Sequence, residues 1–202
     1  MLSMTDEANT TCRPTPEARR QQILDAACDC VRQAGFHGAS MAEIAKAAGL
    51  SVGQIYRYFE NKEAIIAAIV AQDLAEMREK FAEMESRPGN LIDALSEHLP
   101  EAGDKCFDLS RAALTLEVLA EASRNTKVAA ILRAADAQER VYAQAMLDRS
   151  RKPEWSEAEF QARCEAVGLL FDGMIIRAVN HPDTDRGPLT EVLRRTLRQL
   201  LS

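Results

Sequence analysis

A chain of 202 residues can bury a large core as one sizeable domain or two small ones. Its 47% hydrophobic and 28% charged residues are ordinary for a soluble globular protein. No segment approaches the roughly eighteen uninterrupted apolar residues of a membrane span, and the start lacks a basic stretch leading into an apolar run. The expectation is a cytoplasmic protein with no membrane partner.

The net charge of −6 is unevenly divided. Residues 13–62 hold seven basic and five acidic side chains, a balance of +2, whereas residues 63–202 hold 18 basic and 24 acidic ones, a balance of −6. A small cationic segment on an acidic remainder suits a nucleic-acid-reading head on a body with another task.

In chain order, residues 1–14 are polar and aperiodic and read as a flexible arm. Thr15 and Pro16 start a helix, Pro being tolerated at the first helical position. Ile23, Ala26, Ala27, Cys30, Val31 and Ala34 form its apolar stripe, and Gly35 ends it with Phe36 folding back. Ser40 followed by Glu43 forms a capping-box pattern for a second helix over about 41–48, with Met41, Ile44, Ala45 and Ala48 on one face. Gly49 turns the corner, and Ser51 with Gln54 repeats the capping pattern for a third helix over about 52–58. Helix, short glycine-containing turn, helix is the layout of a helix-turn-helix, whose second helix enters the DNA major groove.

The string Gly49-Leu50-Ser51-Val52-Gly53-Gln54-Ile55-Tyr56-Arg57-Tyr58-Phe59-Glu60-Asn61-Lys62-Glu63 resembles the signature of the TetR/AcrR family of bacterial repressors. Its specific part is Ile-Tyr-x-Tyr-Phe followed by Asn-Lys. Gly35-Phe36 and Ser40 to Ala45 precede it at the matching distance, so the resemblance covers roughly residues 17–66. It implies that Ser51, Val52, Gly53 and Gln54 face the groove. It also implies that Tyr56 and Tyr58 meet phosphates or a thymine methyl, and Arg57 a phosphate or guanine. Gln54 has the geometry for a bidentate pair with adenine. Lys62, at the start of the fourth helix, is expected on a phosphate. Ser40 stands on the DNA-backbone side of the second helix, where neighbouring Met41 and Ala42 offer no hydrogen bond.

Beyond this head the pattern stays helical. Asn61 caps a long fourth helix whose Ile66, Val70, Leu74, Met77, Phe81 and Met84 keep one apolar seam until Arg87-Pro88-Gly89. A fifth helix is expected at about 90–99, closed by Pro100 and Gly103, and a sixth at about 105–123. A seventh is expected at about 126–149, an eighth from Ser156, with Glu159 as its box partner, to about Asn180, and a ninth from Gly187-Pro188 onward. No strand alternation or repeat appears. The fold class is therefore all-α, about nine helices: a flexible arm (1–14), a three-helix DNA-binding domain (15–62), and a ligand-binding and dimerisation domain (63–202) entered through the long fourth helix.

Ala166 to Val179 is apolar on nearly every side, which demands burial on every side, and Leu189, Leu193, Leu197 and Leu200 line one face of the last helix. Such a pair is either internal core or half of a four-helix dimer interface. The family resemblance implies a homodimer through the last two helices, and Val167, Leu170, Phe171, Leu193, Leu197 and Leu200 are its candidate residues. In the body, Asp172 interrupts an apolar run and requires a basic partner such as Arg111, Arg133 or Arg177, or else a cationic ligand. Glu117 poses the same question, and Tyr142, Met146 and Met174 are candidates to line an effector cavity.

The five cysteines, at 12, 28, 30, 106 and 164, show no metal or redox spacing, and no metal or other cofactor is expected. His37, His98 and His181 lie on separate elements without nucleophile or base spacing, so catalysis is not expected. The function expected from the sequence is a ligand-responsive repressor. Its homodimer would read a palindromic double-stranded DNA operator in major grooves about 34–36 Å apart or one turn more, and a small lipophilic or cationic molecule would release it. The alternative is a DNA-bound protein whose body binds a protein partner, as in the TetR-like nucleoid occlusion factor of cell division.

Overall fold

The computed structural model describes residues 14–87 and 89–202. Apart from Pro14, the arm expected over 1–14 lies outside them, as do Cys12 and Pro88. Nine helices and no strand occur among the described residues: α1 (Pro16–Gly38), α2 (Met41–Ala47), α3 (Val52–Ile55), α4 (Lys62–Ser86), α5 (Leu91–Cys106), α6 (Leu109–Ala122), α7 (Thr126–Asp148), α8 (Glu157–Asn180) and α9 (Arg186–Leu201).

Each helix begins on a side-chain cap that accepts a first-turn N–H: Thr15, Ser40, Ser51, Asn61, Asn90, Asp108, Asn125, Ser156 and Asp185. Gly35 does not end α1 but kinks it. Its φ of +70°, open to glycine at little strain, turns the chain before one more turn through Gly38. The Ser156 cap forms, but Glu159 pairs with Arg163 at 2.8 Å.

The expectation for α5 was wrong: the helix continues through Pro100 and Gly103 to Cys106, taking the start assigned to the sixth helix. Proline removes one N–H from the helical ladder and orphans the carbonyl four residues earlier. Here that carbonyl belongs to Ser96, and Arg194 of α9 donates its Nε–H to it at 3.3 Å. A partner from another helix replaces the missing bond, which is why the break predicted from local sequence does not occur.

The core falls into four clusters. The first joins α1, α2 and α3 to the start of α4, with Ile23, Ile44, Ile55 and Ile65 all fully buried. The second closes the far end of the body around Met84, Met146, Trp155 and Leu201. The third, Phe36, Ile66, Val118 and Val128, seats the end of α1 on α4, α6 and α7. The fourth packs Phe107, Ala112, Met174 and Ala178 with Phe171 and Leu193. The long α4 runs from the first cluster to the second and so links the head to the far end of the body.

Helix α8 is not buried on every side in the protomer. Leu169, Ile176 and Val179 are exposed, with Val192 of α9 also open.

Candidate nucleic-acid interface

The helix-turn-helix is built by local rules. Ser40 Oγ accepts from Glu43 N at 3.2 Å while Glu43 Oε2 accepts from Ser40 N at 2.8 Å, a complete capping box. The bond from the Ser40 backbone, followed by that from its hydroxyl, holds the Glu43 carboxyl below its ordinary range. Gly49, at φ +64°, makes the turn, and Leu50 N returns to Ala45 O at 2.8 Å. Ser51 and Gln54 form the second box, with bonds of 3.3 and 2.9 Å.

Helix α3 is one turn long and ends at Ile55, followed by hydrogen-bonded turns through Phe59. Ile55 and Phe59 point into the head core, and the Arg20 guanidinium covers the Phe59 ring at 4.3 Å. The opposite face is open. Ser51, Val52, Gly53, Gln54, Tyr56 and Arg57 are all exposed, with Val52 at 44% and Tyr56 at 52%. A Cβ built on Gly53 meets nothing within 4 Å. The glycine thus satisfies no packing need inside this chain.

Three of the residues expected at DNA also have contacts within the chain. Tyr58 is half-buried against the head core, leaving its carbonyl to accept from Arg20 at 3.5 Å. Gln54 is exposed, but its Oε1 is engaged by Ser51 N. A bidentate pair with adenine needs that oxygen, so it must exchange the cap for the base. Lys62 turns inward: its Nζ donates to the Phe36 carbonyl oxygen and lies 4.1 Å from the centre of the Phe36 ring. Desolvation lowers the Lys62 pKa, partly offset by Glu63, Glu121 and Glu43. In the protomer it fastens α1 to α4.

The residues expected to line one effector cavity are dispersed. Met146 is core in the second cluster and Met174 in the fourth. Tyr142 lies under the Arg78 guanidinium at 4.8 Å. Glu117 sits against Gly35, where a Cβ would come within 3.2 Å of its Oε2. Asp172 is exposed, and none of its proposed basic partners pairs with it among the described residues. Arg111 pairs instead with Asp73, and with Glu76 at 3.8 Å. Burial, Asp136 and Glu165 push the Asp172 carboxyl up; burial, Asp172 and Asp136 do the same to Glu139. A cavity of about 220 Å³ opens elsewhere, between the start of α5 and the ends of α4 and α7, lined by Met84, Arg87, Leu91, Asp93, Glu97 and Arg149 among others.

The expected interface residues are half-buried in the protomer, apart from one that is fully buried. Leu197 is buried, Val167 and Leu200 pack on the second cluster, Phe171 and Leu193 on the fourth, and Leu170 is half-buried. A run apolar on all sides does not reveal by sequence alone which side its own protomer covers. Sequence reasoning missed His37, Glu121 and Asn125, which meet where the head joins the body (His37 Nε2 lies 3.1 Å from Glu121 Oε2, and Asn125 Nδ2 donates to Glu121 Oε1 at 3.0 Å). No local pattern marks residues from distant segments that converge only in the fold.

A three-helix head with a one-turn exposed reading helix, carried by a long helix into an all-helical body, defines a helix-turn-helix regulator class. Residues 23–69 match the family model described as bacterial regulatory proteins, tetR family. The chain is 36% identical over 134 residues to the HTH-type transcriptional regulator UidR of Escherichia coli, a match covering 64% of this chain and 63% of that one. The chain thus spans about 63% of the length of that curated relative. It is 29% identical over 171 residues to the HTH-type transcriptional repressor Rv1474c of Mycobacterium tuberculosis, covering 84% of this chain and 87% of that one. Among solved structures, Salmonella enterica GusR superposes with a TM-score of 0.78 at 26% identity, over 94% of this chain and 98% of that one. Residues 23–69, the DNA-binding head, thus match the tetR family of bacterial regulatory proteins, and the whole chain shares its fold with Salmonella enterica GusR.

Proposed function

We propose that this chain is a cytoplasmic, ligand-responsive transcriptional repressor that binds a palindromic DNA operator as a homodimer. The observation that carries the reading is the division of α3. Ile55 and Phe59 anchor it, while Val52, Gly53, Gln54, Tyr56 and Arg57 stand exposed on its other side and the turn that follows. An exposed apolar Val52 and a glycine without an internal reason suit close approach to base edges, and Arg57 supplies a phosphate or guanine contact. A single head reads too few base pairs for useful specificity, so two are required. Leu169, Ile176, Val179 and Val192 supply an apolar face for a second copy.

The effector is small and lipophilic or cationic. Besides burial, Asp172 and Asp136 raise the cost of ionising Glu139, and Asp136 and Glu165 raise that of Asp172, so an anionic effector beside them would be repelled. Operator and effector weaken each other by the same factor, as linkage requires.

The test is selection of duplexes from a random pool, followed by fluorescence anisotropy on the selected duplex and a scrambled one, with cationic and neutral lipophilic compounds added in turn. The reading predicts an inverted-repeat consensus, binding two or more orders of magnitude tighter than to scrambled DNA, and release by at least one compound class. In the same series Ile176→Glu should sediment as a monomer and lose specific binding. Enrichment of no sequence would overturn DNA recognition. Specific binding that no compound disturbs would transfer the role of the body to a protein partner.

A further inference from the structure

We infer that Glu121 is the positioning residue that seats the DNA-reading head on the body, acting through His37; the inference rests on the head being the part that meets DNA. Among the described residues, Glu121 is the buried charged side chain, 1% exposed, near the end of α6. A buried carboxylate is tolerated only where donors are held against it. Two of its donors are local and would follow it anywhere: Arg124 Nε at 2.8 Å and Asn125 Nδ2 at 3.0 Å. The third partner is not local. His37 Nε2, at 3.1 Å, comes from the turn of α1 beyond the Gly35 kink.

Three further contacts converge on the same place. Glu117, one turn earlier on α6, lies so close to Gly35 that a Cβ there would come within 3.2 Å of its Oε2, and the φ of +70° already excludes most side chains. Lys62, at the start of α4, donates to the Phe36 carbonyl oxygen. Asn125, besides holding Glu121 and capping α7, reaches Glu63 of α4 at 3.5 Å. The end of α1 is thus gripped between α6 and α4, and Glu121 is the buried polar anchor of that grip. Pairs of apolar side chains can slide; a buried carboxylate with directional donors has one good arrangement. The orientation of the head is therefore tied to the position of α6. Two heads must meet two half-sites at a fixed separation, so a head free to rock loses affinity to the ordering it then requires on binding.

The test is a double-mutant cycle on the whole chain with His37→Ala, Glu121→Gln and the pair, plus His37→Gln, whose amide offers an N–H at similar reach. The His37 side chain is 71% exposed, so its variants should fold and melt like the parent. The cycle is therefore read from them if Glu121→Gln proves unstable. Amide hydrogen exchange is measured over residues 36–39 and 62–66, with α8 as an internal reference. Anisotropy is measured on a duplex selected from a random pool. Expected is an exchange rate at least threefold faster at those amides in His37→Ala and unchanged in α8, at least threefold weaker specific binding, recovery of most of both in His37→Gln, and no further loss when His37→Ala is added to Glu121→Gln. Unchanged exchange in His37→Ala, or effects that simply add, would overturn the inference. Should the pool yield no specific duplex, the DNA-binding reading fails, and the exchange measurements still decide whether Glu121 holds the head.

Discussion

The head and the body bury helices by different means, and the contrast locates the surfaces that await partners. The head closes around one cluster in which Ile23, Ile44, Ile55 and Ile65 are fully buried, and its two short helices carry reciprocal capping boxes. Its exposed large apolar side chains are Val52 and Tyr56, both on the reading face. The body spreads its core over long helices and leaves Leu169, Ile176 and Val179 open along α8. In the head the exposed apolar side chains lie on one face of α3 and the turn after it; in the body they include a stripe along α8.

That contrast breaks first at the centre of the head. Ile55→Ala empties a fully buried site in a small cluster and should cost about 2–5 kcal/mol in denaturant unfolding. Leu169→Ala, at a side chain 63% exposed, should leave protomer stability within about 0.5 kcal/mol while weakening self-association in sedimentation. An effect smaller than that of Ile55→Ala is expected from Ser51→Ala, which removes the cap of α3 and one half of its box. The loss should be about 1 kcal/mol, read in the same unfolding assay.

Gly53→Ala separates packing from recognition. The added methyl meets nothing inside the chain and favours the helix, so stability should rise by about 0.5–1 kcal/mol. Specific DNA affinity should nonetheless fall, because the methyl projects from the reading face.

The smallest effect concerns Asp172. Its raised pKa means that the folded state holds the proton more tightly than the unfolded chain does. The resulting penalty is absent below the ordinary carboxylate pKa, grows as pH rises toward the raised one, and is complete above it. Asp172→Asn should therefore be more stable than the parent at neutral pH and indistinguishable from it in acid. Water screens this exposed group, so the gain should be no more than about a few tenths of a kcal/mol. Glu121 has the opposite sign. Burial raises its pKa, but the Asn125 and Arg124 hydrogen bonds and the His37 and Arg124 charges outweigh burial and hold it low. The stability it contributes is present above the ordinary carboxylate pKa and is lost as pH falls through the depressed one.

The legible parts of this chain were those set by near neighbours in sequence. Ser40 with Glu43 and Ser51 with Gln54 announce their helices because the cap and its partner lie three residues apart. Gly49 announces its turn because positive φ is a local demand. What depended on distant residues was hidden. Pro100 reads as a helix end until Arg194, from α9, satisfies the carbonyl it orphans. The contact of Lys62 with the Phe36 carbonyl, which joins α4 to α1, is equally invisible in the local sequence. Asp172 was read as needing a basic partner, but Arg111 is taken by Asp73 and Glu76. The apolar run of α8 signalled burial without signalling which stripe the protomer leaves open.

The most direct test of the central claim, that the exposed face of α3 meets DNA while Lys62 belongs to the fastening behind it, is the salt dependence of affinity for the selected duplex. It would be measured for the parent, Arg57→Met and Lys62→Met. Each phosphate contact adds about 0.9 to the slope of log affinity against log salt. The account predicts that Arg57→Met lowers the slope by about one contact and that Lys62→Met leaves it unchanged. A slope that drops for Lys62→Met and not for Arg57→Met would contradict it.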